Sequence, residues 1–312
     1  MPRTLGPGQR AQLFVVAVDS GERRLVHESS TLLFEAPNWT GDGAWLVVNG
    51  DGLLFRLRSD GSGESEQIDL GTVPAINNDH VISPDGTMVY VSAEDGHLYA
   101  IPMAGGSPRR VSNDHGANFH HYLHGVSPDG RTVAYIGLIE NPGGAANTNV
   151  FIIPAAGGAD LQLTDDEFAD DGAEFSSDGE WIYFNSERGS TSPGHAQLFR
   201  MRLNGSGLEQ LTFDERVNWF PHPSPDGSQV AYVSFPPGTL GHPADCEVII
   251  RLVPSDGGMS RDLATVFGGQ GTMNVPSWAP DSHQLAFVEY PVGARRTAAP
   301  PYRKAATGTV VS

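Results

Sequence analysis

Three histidines and a glutamate stand at matching places in the chain. His80 and His124 each lie three residues before a turn serine, and Glu174 and His222 each lie two before one. Three imidazoles and a carboxylate form a donor set that suits a borderline divalent cation such as Mn, Zn, Ca or Ni. Around them stand Glu35, Asn38, Asn78, Asn218, Gln270 and Asn274, whose oxygens are candidates for further ligands or for contacts to a polar substrate. The competing use is structural, because Asn, Asp and His beside buried turns often do no more than satisfy backbone groups. Register bears on the choice. Side chains two and three residues before a turn face opposite sides of a regular strand, and Pro221 and Pro223 allow a bend at His222. His120 and His124 have the spacing of zinc ligands on a helix, but their segment reads as strand, and His115 and His121 read as loop residues.

These residues hang on a repeated turn. It occurs as Thr40-Gly41-Asp42-Gly43, Ser83-Pro84-Asp85-Gly86, Ser127-Pro128-Asp129-Gly130, Ser176-Ser177-Asp178-Gly179, Ser224-Pro225-Asp226-Gly227 and Ala279-Pro280-Asp281-Ser282. Ser and Asp bond local backbone, Pro presets φ and Gly accepts positive φ, so each copy is a tight turn and its aspartate is structural. The aspartates are spaced by 43, 44, 49, 48 and 55 residues, the length of a four-stranded propeller blade. An alternating strand follows each turn, as in Thr87–Ser92 or Glu180–Asn185; then come a second strand, a Gly-rich corner and a short strand ending in Leu-Thr or Val-Ser. The chain is therefore expected to be all-β, a six-bladed β-propeller of four-stranded antiparallel blades. The sixth copy stops after Gln284–Tyr290, and Gln12–Val18 with Arg23–Val26 reads as the outer half it lacks. N-terminal strands completing the last blade close the ring and remove exposed inner edges. This reading gives an extension at residues 1–10, one propeller at 11–292 and a flexible tail at 293–312.

In such a ring the connections into the innermost strands, and those joining second to third strands, emerge on one face. The longest loops are of the second kind: 138–148, 186–196 and 234–245. Loops that lengthen on one face usually build a site. Trp39, Phe175 and Trp278, directly before turns, read as packing between blades, and Trp219 and Phe220 as packing or a sugar-stacking wall.

Charge narrows the partners. The formal net charge is -18, which repels phosphate backbones and anionic bilayers, so no nucleic acid and no membrane partner is expected. The single Cys246 excludes an intramolecular disulfide and reads as a small buried hydrophobe. No secretory leader is visible at Met1–Gly8 and no run of 18 apolar residues occurs. The expected location is cytoplasmic, or periplasmic if a leader has been removed.

With turn, Gly-Gly corner and Leu-Thr ending in register, the chain resembles the TolB-like propeller family over roughly residues 11 to 292. That family includes an envelope protein, propeller halves of serine peptidases and stand-alone sugar lyases. No Gly-x-Ser-x-Gly pentapeptide occurs, which removes the peptidase reading. The histidine-rich inner positions also look like those of the metal-dependent oligogalacturonate lyases. That likeness implies an enzyme in which a divalent metal at His80, His124, His222 and Glu174 acidifies a C–H of a sugar acid. His124 or His222 would then act as base, and Arg188 would hold an anionic group. Hydrolysis or isomerisation would use the same parts. The alternative is a non-catalytic propeller that binds a peptide or protein on the same face, its acidic run Asp165, Asp166, Glu167, Asp170 and Asp171 attracting a basic partner. A small sugar-like ligand, and a monomer or homodimer, complete the expectation.

Overall fold

Each turn is built by its own side chains. In the computed structural model, which describes residues 3–141, 143 and 146–293 of the 312, the turn serine hydroxyl donates to its aspartate. The Ser83–Asp85 and Ser127–Asp129 bonds are 2.6 Å, and Ser176–Asp178 and Ser224–Asp226 are 2.5 Å. The same serine oxygen accepts the backbone N–H five residues on, at Met88, Thr132, Trp181 and Gln229. This fixes where the innermost strand ends and the next begins. The sixth copy departs from the pattern: Ser282 takes the left-handed conformation at φ 63, and its hydroxyl accepts the Asp226 N–H of the preceding blade at 3.0 Å.

The chain opens with β1 (Ala11–Ala17) and β2 (Arg23–Ser29). Blade one holds β3 (Glu35–Trp39), β4 (Trp45–Gly50), β5 (Leu53–Arg58) and β6 (Glu66–Ile68). Blade two holds β7 (Ile76–Ile82), β8 (Met88–Ala93), β9 (Leu98–Pro102) and β10 (Arg109–Arg110). Blade three holds β11 (Phe119–Val126), β12 (Thr132–Glu140), β13 (Ala146–Pro154) and β14 (Leu161–Gln162). Blade four holds β15 (Asp170–Phe175), β16 (Trp181–Ser186), β17 (Gln197–Arg202) and β18 (Glu209–Gln210). Blade five holds β19 (Val217–Pro223), β20 (Gln229–Phe235), β21 (Ala244–Pro254) and β22 (Arg261–Gly269). Blade six is β23 (Gln284–Glu289), followed outward by β1 and β2. The predicted splice is thus present, with Gln12 opposite Glu289 and Ala17 opposite Gln284. The innermost position of this blade carries a single bridge, Trp278 to Leu285, in place of a full strand.

Apolar side chains fill the spaces between blades. Trp219, Phe235, Val248, Trp278 and Phe287 share one cluster between blades five and six, and Leu46, Val48, Val288 and Tyr290 share the next. Polar side chains near the channel tie the same blades together. Asn38 in β3 donates to the Pro276 carbonyl at 2.6 Å and accepts the Ile82 N–H at 2.9 Å, joining blades six, one and two. Trp278 Nε1 donates to the His222 carbonyl at 2.8 Å.

Two local expectations are corrected. His121 lies in β11, fully buried, with Nδ1–H donating to the Gly96 carbonyl of the neighbouring blade at 2.7 Å. Cys246 is half-buried rather than buried, because the outer hairpin β21–β22 projects past the blade core. The basic tail residues Arg295, Arg296, Arg303 and Lys304 lie outside the described residues.

Candidate functional site

The inner strands are not regular, and their irregularity sets the site. Pairing shifts register between Glu35 and Asn38, Ile76 and His80, Leu123 and Gly125, Asp171 and Glu174, and Trp219 and His222. In three blades the residue six before the turn aspartate has positive φ: Ala36 at 52, Gly172 at 69 and Phe220 at 57. A bulge re-aims the side chains on either side of it, and non-glycine residues held at positive φ cluster at functional sites. The residue just before the bend is Glu35, Asp171 or Trp219, and its counterparts in the other blades are Asn78, Tyr122 and Asn274.

Asp171 is the centre of the best-defined group. Its Oδ1 lies 2.8 Å from His124 Nε2, and its Oδ2 lies 3.6 Å from His242 Nε2. Burial works against charge on both partners, but each outweighs it for the other: His124 is raised above the ordinary histidine value and Asp171 is held below the ordinary aspartate range. Both shifts favour the imidazolium–carboxylate form of the pair. Asp79 adds a second carboxylate that senses both. It is almost fully buried, accepts from Asn77 Nδ2 at 2.6 Å, and is pushed up to about 6, chiefly by burial and partly offset by the His124 charge. His242 continues the group through Nδ1 to Gln270 Oε1, which also accepts from Asn274 Nδ2 at 3.0 Å.

A second acidic position adjoins it. Glu35 is buried and raised by desolvation, while Asn49 and Arg3 pull it back. Arg3 reaches in from the N-terminal extension, with Nη1 2.9 Å from the Gln270 carbonyl and 3.3 Å from Glu35 Oε1. Its Nη2 lies 2.6 Å from Asp245, and the guanidinium lies 4.2 Å from the Tyr290 ring centroid. Glu35, Asn78, Gln270 and Arg3 line a small cavity of about 150 Å³.

Other candidate residues go to the scaffold. His80 is fully buried and gives its Nε2–H to the Val47 carbonyl of blade one at 3.2 Å, and burial lowers it to about 4. His222 gives Nε2–H to the Met273 carbonyl at 3.0 Å, and its Nδ1 is hydrogen-bonded to Glu174 Oε2 across 2.6 Å. Asn218, wholly buried, is spent on Gln197, Thr212, Asp214 and Ser234. Arg188 is held by both oxygens of the buried Asp170, at 2.8 and 2.7 Å, and by Asp166 at 3.3 Å. Its charge is neutralised within blade four, so it does not serve as a free anion clamp.

A divalent cation does not fit the donor set read from the sequence. His80, His124 and His222 each turn toward a neighbouring blade. Among the described residues no group of three or more His, Cys, Asp or Glu side chains is placed to hold a metal ion. The register difference between His80 and His124 on one side and Glu174 and His222 on the other is real, and the bulges do not cancel it. Asp79, Asp171 and His242 were legible only as part of acidic or loop segments. Their signal was position: Asp171 matches Glu35, one residue before the bend.

Fold and site together define a six-bladed β-propeller with an ionisable cluster at one mouth of its channel. The TolB β-propeller domain family matches residues 126–242. The chain is 39% identical over 291 residues to the uncharacterized protein Atu1656 of Agrobacterium fabrum strain C58, covering 91% of this chain and 94% of that one. A solved structure assigned as TolB from Agrobacterium tumefaciens superposes with a TM-score of 0.84 at 38% identity, covering 92% of this chain and 100% of that one. The chain belongs to the TolB-like six-bladed β-propeller family. An oligogalacturonate lyase in complex with manganese shares the fold, with a TM-score of 0.56, 13% identity, and 85% and 75% of the two chains covered.

Proposed function

We propose that this chain is a binding propeller whose polar channel mouth seats a basic side chain of a peptide or protein partner. The observation that carries the reading is Asp79: a buried carboxylate beside the His124–Asp171 pair, whose one direct side-chain donor among the described residues is the Asn77 amide. Asp171 already has His124, and Glu35 already has Arg3. An incoming ammonium or guanidinium would relieve the desolvation that raises Asp79, and the net charge of -18 would speed its arrival. Isothermal titration with acetylated tripeptide amides centred on Lys, Arg, Leu or Glu tests the reading. The Lys and Arg peptides should bind, the Glu peptide should not, and Asp79→Asn should weaken the Lys peptide by about tenfold. Equal binding of Lys and Glu peptides would remove the reading.

A second reading, a sugar-active enzyme, is favoured by one feature, the oriented His124–Asp171 pair, in which Asp171 holds Nε2–H and Nδ1 is the nitrogen left to exchange a proton. The lyase likeness supports the fold alone, and no step is drawn through a metal. Release of unsaturated product from oligogalacturonate, followed by ultraviolet absorbance and abolished by His124→Gln, would favour it. A periplasmic setting is in keeping with TolB-like relatives, and the fold gives no support to a cytoplasmic one.

A further inference from the structure

The channel has a second mouth, on the face of the Ser-Pro-Asp-Gly turns, and its chemistry is the reverse of the first. It opens as a funnel of about 340 Å³, within the range of small-molecule sites. The wall is apolar: Trp39, Phe175 and Trp278 from the ends of the inner segments, and Pro84, Pro128 and Pro225 from the turns. The turn hydroxyls add little polarity, because Ser83, Ser176 and Ser224 each donate to their own aspartate. Water in such a funnel finds few partners, and displacing poorly held water with an apolar group favours binding.

Among the described residues, one charged residue lines this space. Glu174 spends Oε2 on His222, which is anchored from the other side by the Met273 carbonyl. Glu174 is among the residues that line the funnel, and its Oε1 receives no hydrogen bond among the described residues. A carboxylate residue in the lining, aromatic side chains on the wall and an acidic chain all select the same ligand chemistry. Aromatic faces favour cations, and a carboxylate oxygen makes its strongest bond to a charged N–H donor.

We propose that the turn-side mouth is a second binding site, for a compact apolar cation that lays its hydrocarbon on Trp39, Phe175 and Trp278 and donates an ammonium N–H to Glu174. The site does not rest on the basic-peptide reading, since Asp79, Asp171 and His124 are not among its lining residues. The Glu174–His222 pair acts as its floor and fixes the carboxylate's orientation.

Benzylamine, benzyl alcohol and benzoate are the probes, titrated into the full chain by calorimetry and ligand-observed NMR with folding monitored by circular dichroism. Benzylamine should bind about tenfold more tightly than benzyl alcohol, and benzoate should not bind. Glu174→Gln keeps a partner for His222 and should erase the difference between amine and alcohol. Ser177→Trp, on the exposed rim, should remove both. The proposal is overturned if no probe binds the folded parent, if Glu174→Gln preserves the amine preference, or if Asp79→Asn abolishes benzylamine binding and so moves it to the other mouth.

Discussion

Burial holds the Asp79 carboxyl at about 6, above the ordinary aspartate value of 3.8. A group whose folded pKa is raised binds more protons in the native state, so its ionisation costs stability as pH rises from about 4 through 6. Asp79→Asn should therefore raise stability at pH 7 by on the order of 2–3 kcal/mol while weakening the basic-peptide site. Urea unfolding of the two proteins at pH 7 checks this, and an unchanged or lower midpoint would show that Asp79 is already neutralised by its surroundings. His80 acts in the opposite sense. Its folded value, lowered to about 4 from 6.5 by burial, makes its contribution complete above pH 6.5 and lost as pH falls toward 4. In the Asp79→Asn background, stability should fall between pH 7 and 4.5, with about 3 kcal/mol of the full loss toward pH 4 assignable to His80. His80→Gln should flatten that dependence. At this scale the sequence was a partial guide. It marked His124 and Glu174 as notable, but which carboxylate meets which imidazole depends on blade-to-blade contacts such as His124 to Asp171, which no local pattern encodes.

Among the elements, the inner strands carry the site because they bend. Gly172 at φ 69 sits where an added Cβ would meet Asn185 Oδ1 at 2.8 Å and Phe220 Cα at 3.1 Å. Gly172→Ala should cost roughly 2–4 kcal/mol and weaken peptide binding by turning Asp171 away from His124. Thermal unfolding together with the peptide titration separates the two effects. Asn38 serves as a brace, with its amide bonded to two neighbouring blades, so Asn38→Ala should cost about 2 kcal/mol through two stranded backbone groups and leave peptide affinity unchanged. A loss of affinity at constant stability would instead return Asn38 to the list of ligand contacts. The strands themselves were legible from alternation and turn chemistry, as in Thr87–Ser92 against β8 (Met88–Ala93). The bulges were not, since Ala36 and Phe220 give no sequence warning of positive φ. The metal candidates part accordingly: Glu174 meets His222 at 2.6 Å, while His80 turns to the Val47 carbonyl and His124 to Asp171.

For the whole molecule, the six turns and their spacing made the ring and its closure readable before any coordinate. The pairing of β1 with β23 follows from a sixth repeat that lacks its outer half. What the repeat could not convey is polarity. The same channel ends in an ionisable mouth around Asp79 and Asp171 and in an apolar funnel above Glu174, because blade ends differ in single residues on a common frame. The central claim is that the ionisable mouth receives a cation. Its most direct measurement is the salt dependence of Lys-tripeptide affinity for the parent and for Asp79→Asn. Affinity that falls with added salt in the parent, and is about tenfold weaker with a shallower dependence in Asp79→Asn, is the predicted result. Identical affinity and salt dependence in the two proteins would contradict it.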